Sequence, residues 1–294
     1  MNAAKGFRSL LRQEGMTVAP GAYDPLTAKL VEGAGFKAVY MTGAGTAASL
    51  GFPDYGLVTM SEMAGNAGRI ASAVEVPVIA DADTGYGNEL NTVRTVREYE
   101  ARGVAAIHIE DQDFPKRCGH LEGKKIIARE EWLAKIRTAL GARRDPSFAI
   151  IARTDARAVA GFEEAVARAG AALREGADMA FVEAPQTLEE IAAVPRLLSG
   201  PCLFNVVRGG KTPEIPLADV EALGYKLAIV PGMLFKAVIA FCERMLEELR
   251  STGLYPRPLK EMSVSETFAR LGAEEWEALG ARLSRPAATQ EAAE

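Results

Sequence analysis

Short apolar segments recur along the chain, separated by longer stretches whose apolar residues follow a helical period. The apolar segments are continuous rather than alternating, which is typical of parallel strands that are buried on both faces. The pattern predicts eight such strands, at residues 17–19, 38–41, 76–80, 105–109, 148–152, 179–182, 202–205 and 227–230.

Helices are predicted between the strands, at residues 24–33, 60–73, 89–102, 129–141, 162–175, 187–198, 217–223 and 233–250. Glycine often closes a helix because it readily adopts the left-handed backbone conformation. Four of the predicted helices end at such a glycine: Gly35, Gly103, Gly176 and Gly224. Eight β–α units without an evident linker predict a single α/β domain over residues 1–253, a closed (β/α)8 TIM barrel.

The pattern changes after Gly253, where a proline-containing stretch precedes a helical segment near residues 265–283. That segment has an apolar face, formed by Phe268, Leu271, Trp276, Leu279 and Leu283. A helix outside a closed barrel needs another surface to cover such a face. We therefore expect residues 254–285 to pack on a neighbouring subunit of a homo-oligomer, and residues 286–294 to form a disordered tail.

Composition narrows the classes of function. The chain has 294 residues and a net charge of −5, which argues against nucleic acid as the main partner. Its first residues lack the apolar core of a signal peptide, and no apolar run reaches the roughly 18 residues that a membrane span needs. Three scattered cysteines are too few for a disulfide framework. We expect a cytoplasmic protein that acts on a small molecule, with no membrane partner.

Polar residues mark the carboxyl ends of most predicted strands, which is where barrel enzymes carry their catalytic groups. Six of the eight strand ends bear a charge or an amide, and the residues there are Asp24, Asp81, Asp83, Glu110, Asp111, Arg153, Asp155, Glu183 and Asn205. The end of the second predicted strand adds Tyr40 and Thr42. One acid after one strand means little, but this set together predicts a site.

The acids have a specific chemical use. Asp81 and Asp83 are two residues apart, so they face the same way in an extended chain. With Glu110 they offer the hard oxygen ligands that Mg²⁺ prefers, and Mn²⁺ is also possible. The alternative is that such acids cap the helices that follow. Arg153 could anchor a substrate carboxylate in a bidentate way, or form a structural ion pair with Glu183 or Asp155.

The segment at residues 116–120, KRCGH, places a thiol between cations and an imidazole. Nearby cations favour the thiolate, so we expect a reactive Cys118, with His120 as the better catalytic histidine. The alternative is an ordinary polar loop. His108, inside an apolar run, is predicted to be a hydrogen-bonded core residue.

A glycine-rich run at residues 42–48 contains G-x-G-x-x-A, which resembles a dinucleotide fingerprint. It follows the second strand rather than the first, which argues against nicotinamide binding. We instead expect a loop whose backbone N–H groups, at Gly43 and Ala44 among others, hold a substrate carboxylate or an oxyanion.

These residues give the chain a close resemblance to the isocitrate lyase/phosphoenolpyruvate mutase superfamily. The resemblance covers about residues 6–285 and rests on residues 40–43 (YMTG), 51–54 (GFPD), 80–87 (ADADTGYG), 108–112 (HIEDQ), 116–120 (KRCGH) and 152–156 (ARTDA). It implies a barrel whose last helix is swapped between subunits, commonly in tetramers. It also implies Mg²⁺ held by Asp81 and Asp83, and largely through water by Glu110, with an α-keto or 2-hydroxy acid chelating the ion.

Within the superfamily, the cysteine loop resembles that of the carbon–carbon bond lyases. The resemblance implies that Cys118 protonates the departing carbanion, while Tyr40 and Asp54 lie near the reacting oxygen. It further implies that Thr42, Gly43 and Arg153 bind the substrate carboxylates, a set to which we add Ala44 and Asn205, and that His120 and Glu183 orient the loop.

The predicted activity is Mg²⁺-dependent cleavage of a 2-hydroxy di- or tricarboxylate, of the 2-methylisocitrate or dimethylmalate type. The alternatives are a phosphorus–carbon mutase, an oxaloacetate decarboxylase or hydrolase, and a non-catalytic α-keto-acid binder. One departure bears on the substrate: where relatives commonly carry an acid after Asn205, this chain has Arg208. Arg208 could anchor a further carboxylate, or it could displace the role of Arg153.

Overall fold

A computed structural model describes residues 2–284 of the chain. Eight strands pair in chain order, all parallel, and the last returns to the first to close a barrel. The strands are β1 (Thr17–Ala22), β2 (Val39–Met41), β3 (Val78–Asp81), β4 (Ala106–Glu110), β5 (Ala149–Thr154), β6 (Met179–Val182), β7 (Cys202–Asn205) and β8 (Leu227–Val230). The predicted (β/α)8 barrel is confirmed.

All eight predicted interstrand helices are present, and five further helices lie among the described residues: one before the first strand, two short ones between strands, and two in the C-terminal segment. In chain order the helices are α1 (Ala3–Arg12), α2 (Pro25–Gly33), α3 (Gly43–Ser49), α4 (Met60–Ala71), α5 (Glu89–Ala101), α6 (Arg129–Ala142), α7 (Ala156–Val159), α8 (Phe162–Arg174), α9 (Leu188–Leu197), α10 (Leu217–Ala222), α11 (Met233–Thr252), α12 (Val264–Ala269) and α13 (Ala273–Leu283). The glycines predicted to close four of them all have positive φ, between 80° and 104°.

Helix α1 covers the amino-terminal end of the barrel. It begins where the Asn2 side chain accepts a hydrogen bond from the Lys5 backbone N–H at 3.2 Å. Its Phe7 is fully buried among residues at the starts of several strands, including Ala38 and Ala105. Burying an aromatic side chain there stabilises the fold by about 2 kcal/mol. The opposite end, where the strands terminate, is left for the functional residues.

The C-terminal part differs from the prediction in two respects. The helical segment expected near residues 265–283 is not one helix, because Gly272 adopts φ = 84° and divides it into α12 and α13. The chain separates into two compact units between Phe241 and Cys242, inside α11, whereas the sequence placed the boundary after Gly253. The predicted tail at 286–294 lies outside the described residues. No helix between residues 2 and 284 has the length and apolar character that a bilayer span requires.

Candidate active site

The barrel register brings the predicted strand-end residues to one rim. Asp81 ends β3 opposite His108, and Glu110 ends β4 opposite Arg153. Glu183 follows β6, and its backbone N–H donates to the Thr154 carbonyl at 3.0 Å. These side chains are buried. The polar groups predicted from separate strand ends therefore form one buried cluster.

Tyr40 and His108 form a pair inside this rim. The Tyr40 hydroxyl lies 2.8 Å from His108 Nε2, and the two rings stack at 5.8 Å. Asp81 Oδ1 is 3.6 Å from the same nitrogen. Burial lowers the pKa of His108 to about 4 and raises that of Tyr40 well above its ordinary value. At neutral pH both groups are uncharged, so His108 is the hydrogen-bonded core residue that the sequence predicted.

Lys116 joins the acids across the rim. Its Nζ lies 2.6 Å from Asp83 Oδ1 and also bonds to the Asp54 carboxylate. Burial raises the pKa of Asp83 to about 6, against the opposing effect of the Lys116 ammonium. The Asp83 backbone has φ = 45° and donates its N–H to Asp81 Oδ1 at 2.9 Å. This unusual backbone conformation holds both carboxylates of the motif at the site rather than on a helix cap.

Glu110 is the carboxylate whose oxygens best suit a cation. Both oxygens are buried and neither has a hydrogen-bond donor, although Arg153 Nη1 lies 3.2 Å from Oε2. Burial raises the pKa of Glu110 well above its ordinary value, and a divalent cation nearby would favour its charged form. Among residues 2–284, no three His, Cys, Asp or Glu side chains are arranged to hold a metal directly. The donor set thus fits a hydrated ion, held partly through water.

Arg153 is fixed by more than one acid. Its Nε donates to Asp155 Oδ2 at 3.0 Å, and its guanidinium lies 5.1 Å from the centre of the Phe181 ring. Glu183 Oε1 is 4.0 Å from Nη2. Burial alone would raise the pKa of Asp155, but the charges of Arg153 and then Lys124 hold this pKa below its ordinary value. The structural ion pair considered from the sequence is present, and it orients the guanidinium at the rim.

Glu183 connects Arg153 to the far side of the rim. Asn205 Nδ2 donates to its two oxygens at 3.2 and 3.1 Å. His120 Nε2 lies 3.0 Å from Oε1, while His120 Nδ1 accepts the Lys211 backbone N–H at 3.0 Å. Because Nδ1 is an acceptor, the neutral imidazole carries its proton on Nε2, facing the carboxylate. Burial opposes the charge on Glu183, but Arg153 and His120 lower its pKa strongly.

Residues 113–125, which we name the lid, fold over this cluster. Its two ends are held together by a bond from the Asp113 N–H to the Lys125 carbonyl at 2.9 Å, and by an antiparallel bridge between Gln112 and Ile126. A Cβ on Gly119 would lie 2.6 Å from Arg153 Nη2. Only glycine fits so close an approach.

Cys118 lies in the lid with its backbone N–H donating to the Asp54 carbonyl at 3.2 Å. The expectation that neighbouring cations favour its thiolate is wrong. Lys116 is engaged by two carboxylates, and the Arg117 guanidinium lies 5.8 Å from the centre of the Tyr55 ring. Burial, followed by the Asp54 charge, raises the pKa of the Cys118 thiol. Cys118 is therefore a protonated thiol at neutral pH, which suits a proton donor.

The sequence predicted a loop for the glycine-rich run at residues 42–48. The structure instead has helix α3 there. Thr42 caps it by accepting the Gly45 backbone N–H at 3.3 Å. Gly43 is packed against Asp81, since a Cβ there would lie 2.8 Å from the carboxylate carbon. Ala44 follows in the first turn of α3 and is partly buried. Thr42 and Gly43 thus lie directly beside the acids.

Arg208 is the predicted site residue that the structure does not bring into the buried cluster. Its side chain is 89% exposed and its Nε lies 3.3 Å from Glu214 Oε1. It borders a cavity of 410 Å³ that extends from Asn205 and is lined mainly by apolar residues, including Phe204 and Met233. Sequence reasoning also missed Gln112 and Lys124, whose contacts hold the lid. Gln112 lies in the segment HIEDQ that carries the resemblance, which was the available signal, whereas Lys124 lies four residues beyond the segment KRCGH.

Comparison with known proteins identifies relatives of this chain. The family model described as phosphoenolpyruvate phosphomutase matches residues 7–250. The 2,3-dimethylmalate lyase of Eubacterium barkeri is 51% identical over 79% of this chain and 80% of its own length. The 2-methylisocitrate lyase of Aeropyrum pernix is 44% identical over 96% of this chain and 91% of its own.

Solved structures show the same relationship. Oxaloacetate acetylhydrolase in complex with the inhibitor 3,3-difluorooxalacetate has a TM-score of 0.93 and 38% identity, covering 97% of this chain and 98% of its own. Phosphonopyruvate hydrolase in complex with oxalate and Mg²⁺ has a TM-score of 0.86 and 32% identity, over 97% of this chain and 100% of its own. This chain belongs to the phosphoenolpyruvate mutase/isocitrate lyase superfamily.

Proposed function

We propose that the protein is a carbon–carbon bond lyase that cleaves a 2-hydroxy di- or tricarboxylate into an α-keto acid and a second carboxylate. The observation that carries the proposal is the position of Cys118. It is a protonated thiol in a lid whose next residue, Gly119, lies against Glu183 and Arg153. A proton donor beside a carboxylate-binding arginine is what the protonation of a carboxylate-stabilised carbanion requires. The two lyases above support the same reaction.

Substrate binding falls to groups with charge or donors at the rim. Arg153 is oriented by Asp155 and offers its guanidinium to a carboxylate. Thr42 and Gly43, at the start of α3, border the acids and complete the opposite side. Asn205 places its amide between Glu183 and the apolar cavity beyond. That cavity suits an alkyl substituent on the second fragment, as a dimethylmalate-type substrate carries.

Asp81, Asp83 and Glu110 would hold Mg²⁺, or Mn²⁺, as a partly hydrated ion. Lewis-acid stabilisation of negative charge on the substrate oxygen is what the ion supplies when bound. Oxalate, a dicarboxylate, accompanies Mg²⁺ in the related phosphonopyruvate hydrolase. The unpartnered oxygens of Glu110 and the buried pair Asp81–Asp83 support the same arrangement here.

The protein's own groups carry the proton steps. Tyr40 keeps its proton, because burial raises its pKa, and its hydroxyl is hydrogen-bonded to His108 Nε2 beside Asp81. The substrate hydroxyl gives its proton to a carboxylate of the rim, and its oxygen forms the carbonyl of the α-keto acid as the carbon–carbon bond breaks. The electron pair of that bond remains on the departing carboxylate fragment. That carbon takes the proton from Cys118. His120 and Glu183 hold the lid residues next to Cys118 in place, and lid closure excludes water from the carbanion.

The proposal is tested by incubating the protein and Mg²⁺ with 2,3-dimethylmalate, 2-methylisocitrate and isocitrate, and measuring release of pyruvate or glyoxylate. Release that is lost in Cys118→Ala supports the assignment, and absence of cleavage of all three substrates contradicts it. Two other functions have specific support. The family model points to a phosphorus–carbon mutase, visible by phosphorus NMR, and the oxaloacetate acetylhydrolase structure points to release of oxalate and acetate.

A further inference from the structure

Lys124 is a buried cation within an otherwise exposed part of the lid. Its side chain is 1% exposed, whereas Leu121, Glu122 and Lys125 around it are exposed. Its Nζ donates to Asp155 Oδ1 at 2.7 Å and to the backbone carbonyl of Gly119. A buried ammonium is costly to desolvate unless it is paired and hydrogen-bonded. Here both partners are specific, and one of them belongs to the residue that follows Cys118.

Asp155 connects the Lys124 contact to the substrate-binding side of the rim. The same carboxylate accepts the Arg153 guanidinium at 3.0 Å through Oδ2 and at 3.3 Å through Oδ1. Its backbone N–H donates to Asp111 at 2.7 Å, which fixes it at the end of β5. A single rigid acid thus holds the substrate-binding arginine on one side and the lid lysine on the other.

We propose that Lys124 is a positioning residue of the lyase: it fastens the lid at Gly119 to Asp155, and so holds Cys118 over the carboxylate bound by Arg153. The expected loss of kcat rests on the proposed function, whereas the expected opening of the lid does not. Without the ammonium, Gly119 loses its donor, while the lid keeps its other contacts: Gln112 with the Arg117 backbone, Cys118 N–H with Asp54, and His120 with Glu183. Arg153 keeps its bonds to Asp155.

The chain supplies a matched control. Lys125 has the same side chain at the next position, is exposed, and contributes only its backbone carbonyl to the lid. Lys124→Met removes the buried charge while keeping length and bulk. Lys125→Met makes the same change outside the contact.

The experiment measures alkylation of Cys118 by iodoacetamide in the full-length protein, following the tryptic peptide by mass spectrometry so that Cys242 does not interfere. Lys124→Met should react about tenfold faster than the wild type and Lys125→Met, because the lid opens more often. Binding of oxalate with Mg²⁺, by calorimetry, should stay within about threefold, since Arg153 remains in place. On a cleaved substrate, kcat should fall about 100-fold with KM nearly unchanged.

Equal alkylation rates in Lys124→Met and the wild type would overturn the proposal, and a KM that rises as much as kcat falls would indicate a general structural role instead. If the methionine variant does not fold, Lys124→Gln against Lys125→Gln gives the same comparison, because glutamine removes the ammonium but leaves a polar group in the buried position. Alkylation does not depend on turnover. A protein without lyase activity would therefore contradict the proposed function while leaving the lid contact to be decided.

Discussion

Replacing Gly119 with alanine adds one methyl group where the lid meets the buried cluster. The added Cβ would lie 2.6 Å from both Arg153 Nη2 and Glu183 Cγ. Neither neighbour can withdraw freely, because Glu183 is bonded to Asn205 and Arg153 to Asp155. Overpacking of this kind costs about 1–3 kcal/mol. The barrel core contains none of these lid contacts, so the cost falls on the closed lid rather than on the fold.

With about 1.4 kcal/mol for each factor of ten, this cost lowers the population of the closed lid, and with it kcat, by about 5- to 150-fold. The assay is steady-state cleavage of the best substrate from the screen, together with thermal unfolding, where Tm should change by less than about 2 °C. Gly65→Ala in α4 is the control, because nothing lies within 4 Å of its added Cβ. A Gly119→Ala enzyme with wild-type kcat would show that the lid does not close as described.

Other changes test separate parts of the site. Cys118→Ala should lower kcat by about 10³-fold while calorimetry shows oxalate binding with Mg²⁺ unchanged. Cys118 must be protonated to act, and its pKa is raised above the ordinary value near 9. We therefore expect kcat to stay constant through neutral pH and to decrease only above pH 9. A kcat that already decreases between pH 7 and pH 8 would contradict this. Asp81→Asn, checked by circular dichroism for folding, should abolish both activity and its dependence on added Mg²⁺. Ending the chain after Gly253 should reduce the mass measured by light scattering, since Phe268, Trp276 and Leu283 are 54%, 72% and 73% exposed; an unchanged mass would count against a swapped C-terminal segment.

The barrel and its rim could be predicted because they depend on repeated, local patterns. Closing eight parallel strands brings all their carboxyl ends together, whatever the details of each helix. Asp81, Glu110 and Arg153 therefore meet without any knowledge of the contacts between them. Helix α3 was not predicted, because its two glycines lower the helix propensity of the run, and the cap at Thr42 and the packing on Asp81 that favour the helix are not visible in the periodic pattern.

The lid could not be predicted in the same way, because its contacts join residues that are distant in sequence. Lys116 was expected to act on Cys118 two residues away, but it bonds to Asp54, 62 residues away. Lys124 and Lys125 are identical in type, and only the pairing of the two lid ends decides which one is buried. A site role was predicted for Arg208 only because it replaces an acid that relatives commonly carry. Its exposed ion pair with Glu214 depends on a turn that no periodic pattern describes.

The lid is fastened partly through its main chain. Gln112 bonds to the backbone N–H and carbonyl of Arg117, and Lys124 bonds to the carbonyl of Gly119. The outward side chain of Glu122 makes only an exposed ion pair with Lys211, a kind of contact that contributes little. A cysteine introduced at Glu122 in a background with Cys118→Ser and Cys242→Ser could therefore carry a fluorophore without disturbing the fastening. Opening and closing could then be followed as changes in fluorescence, one molecule at a time.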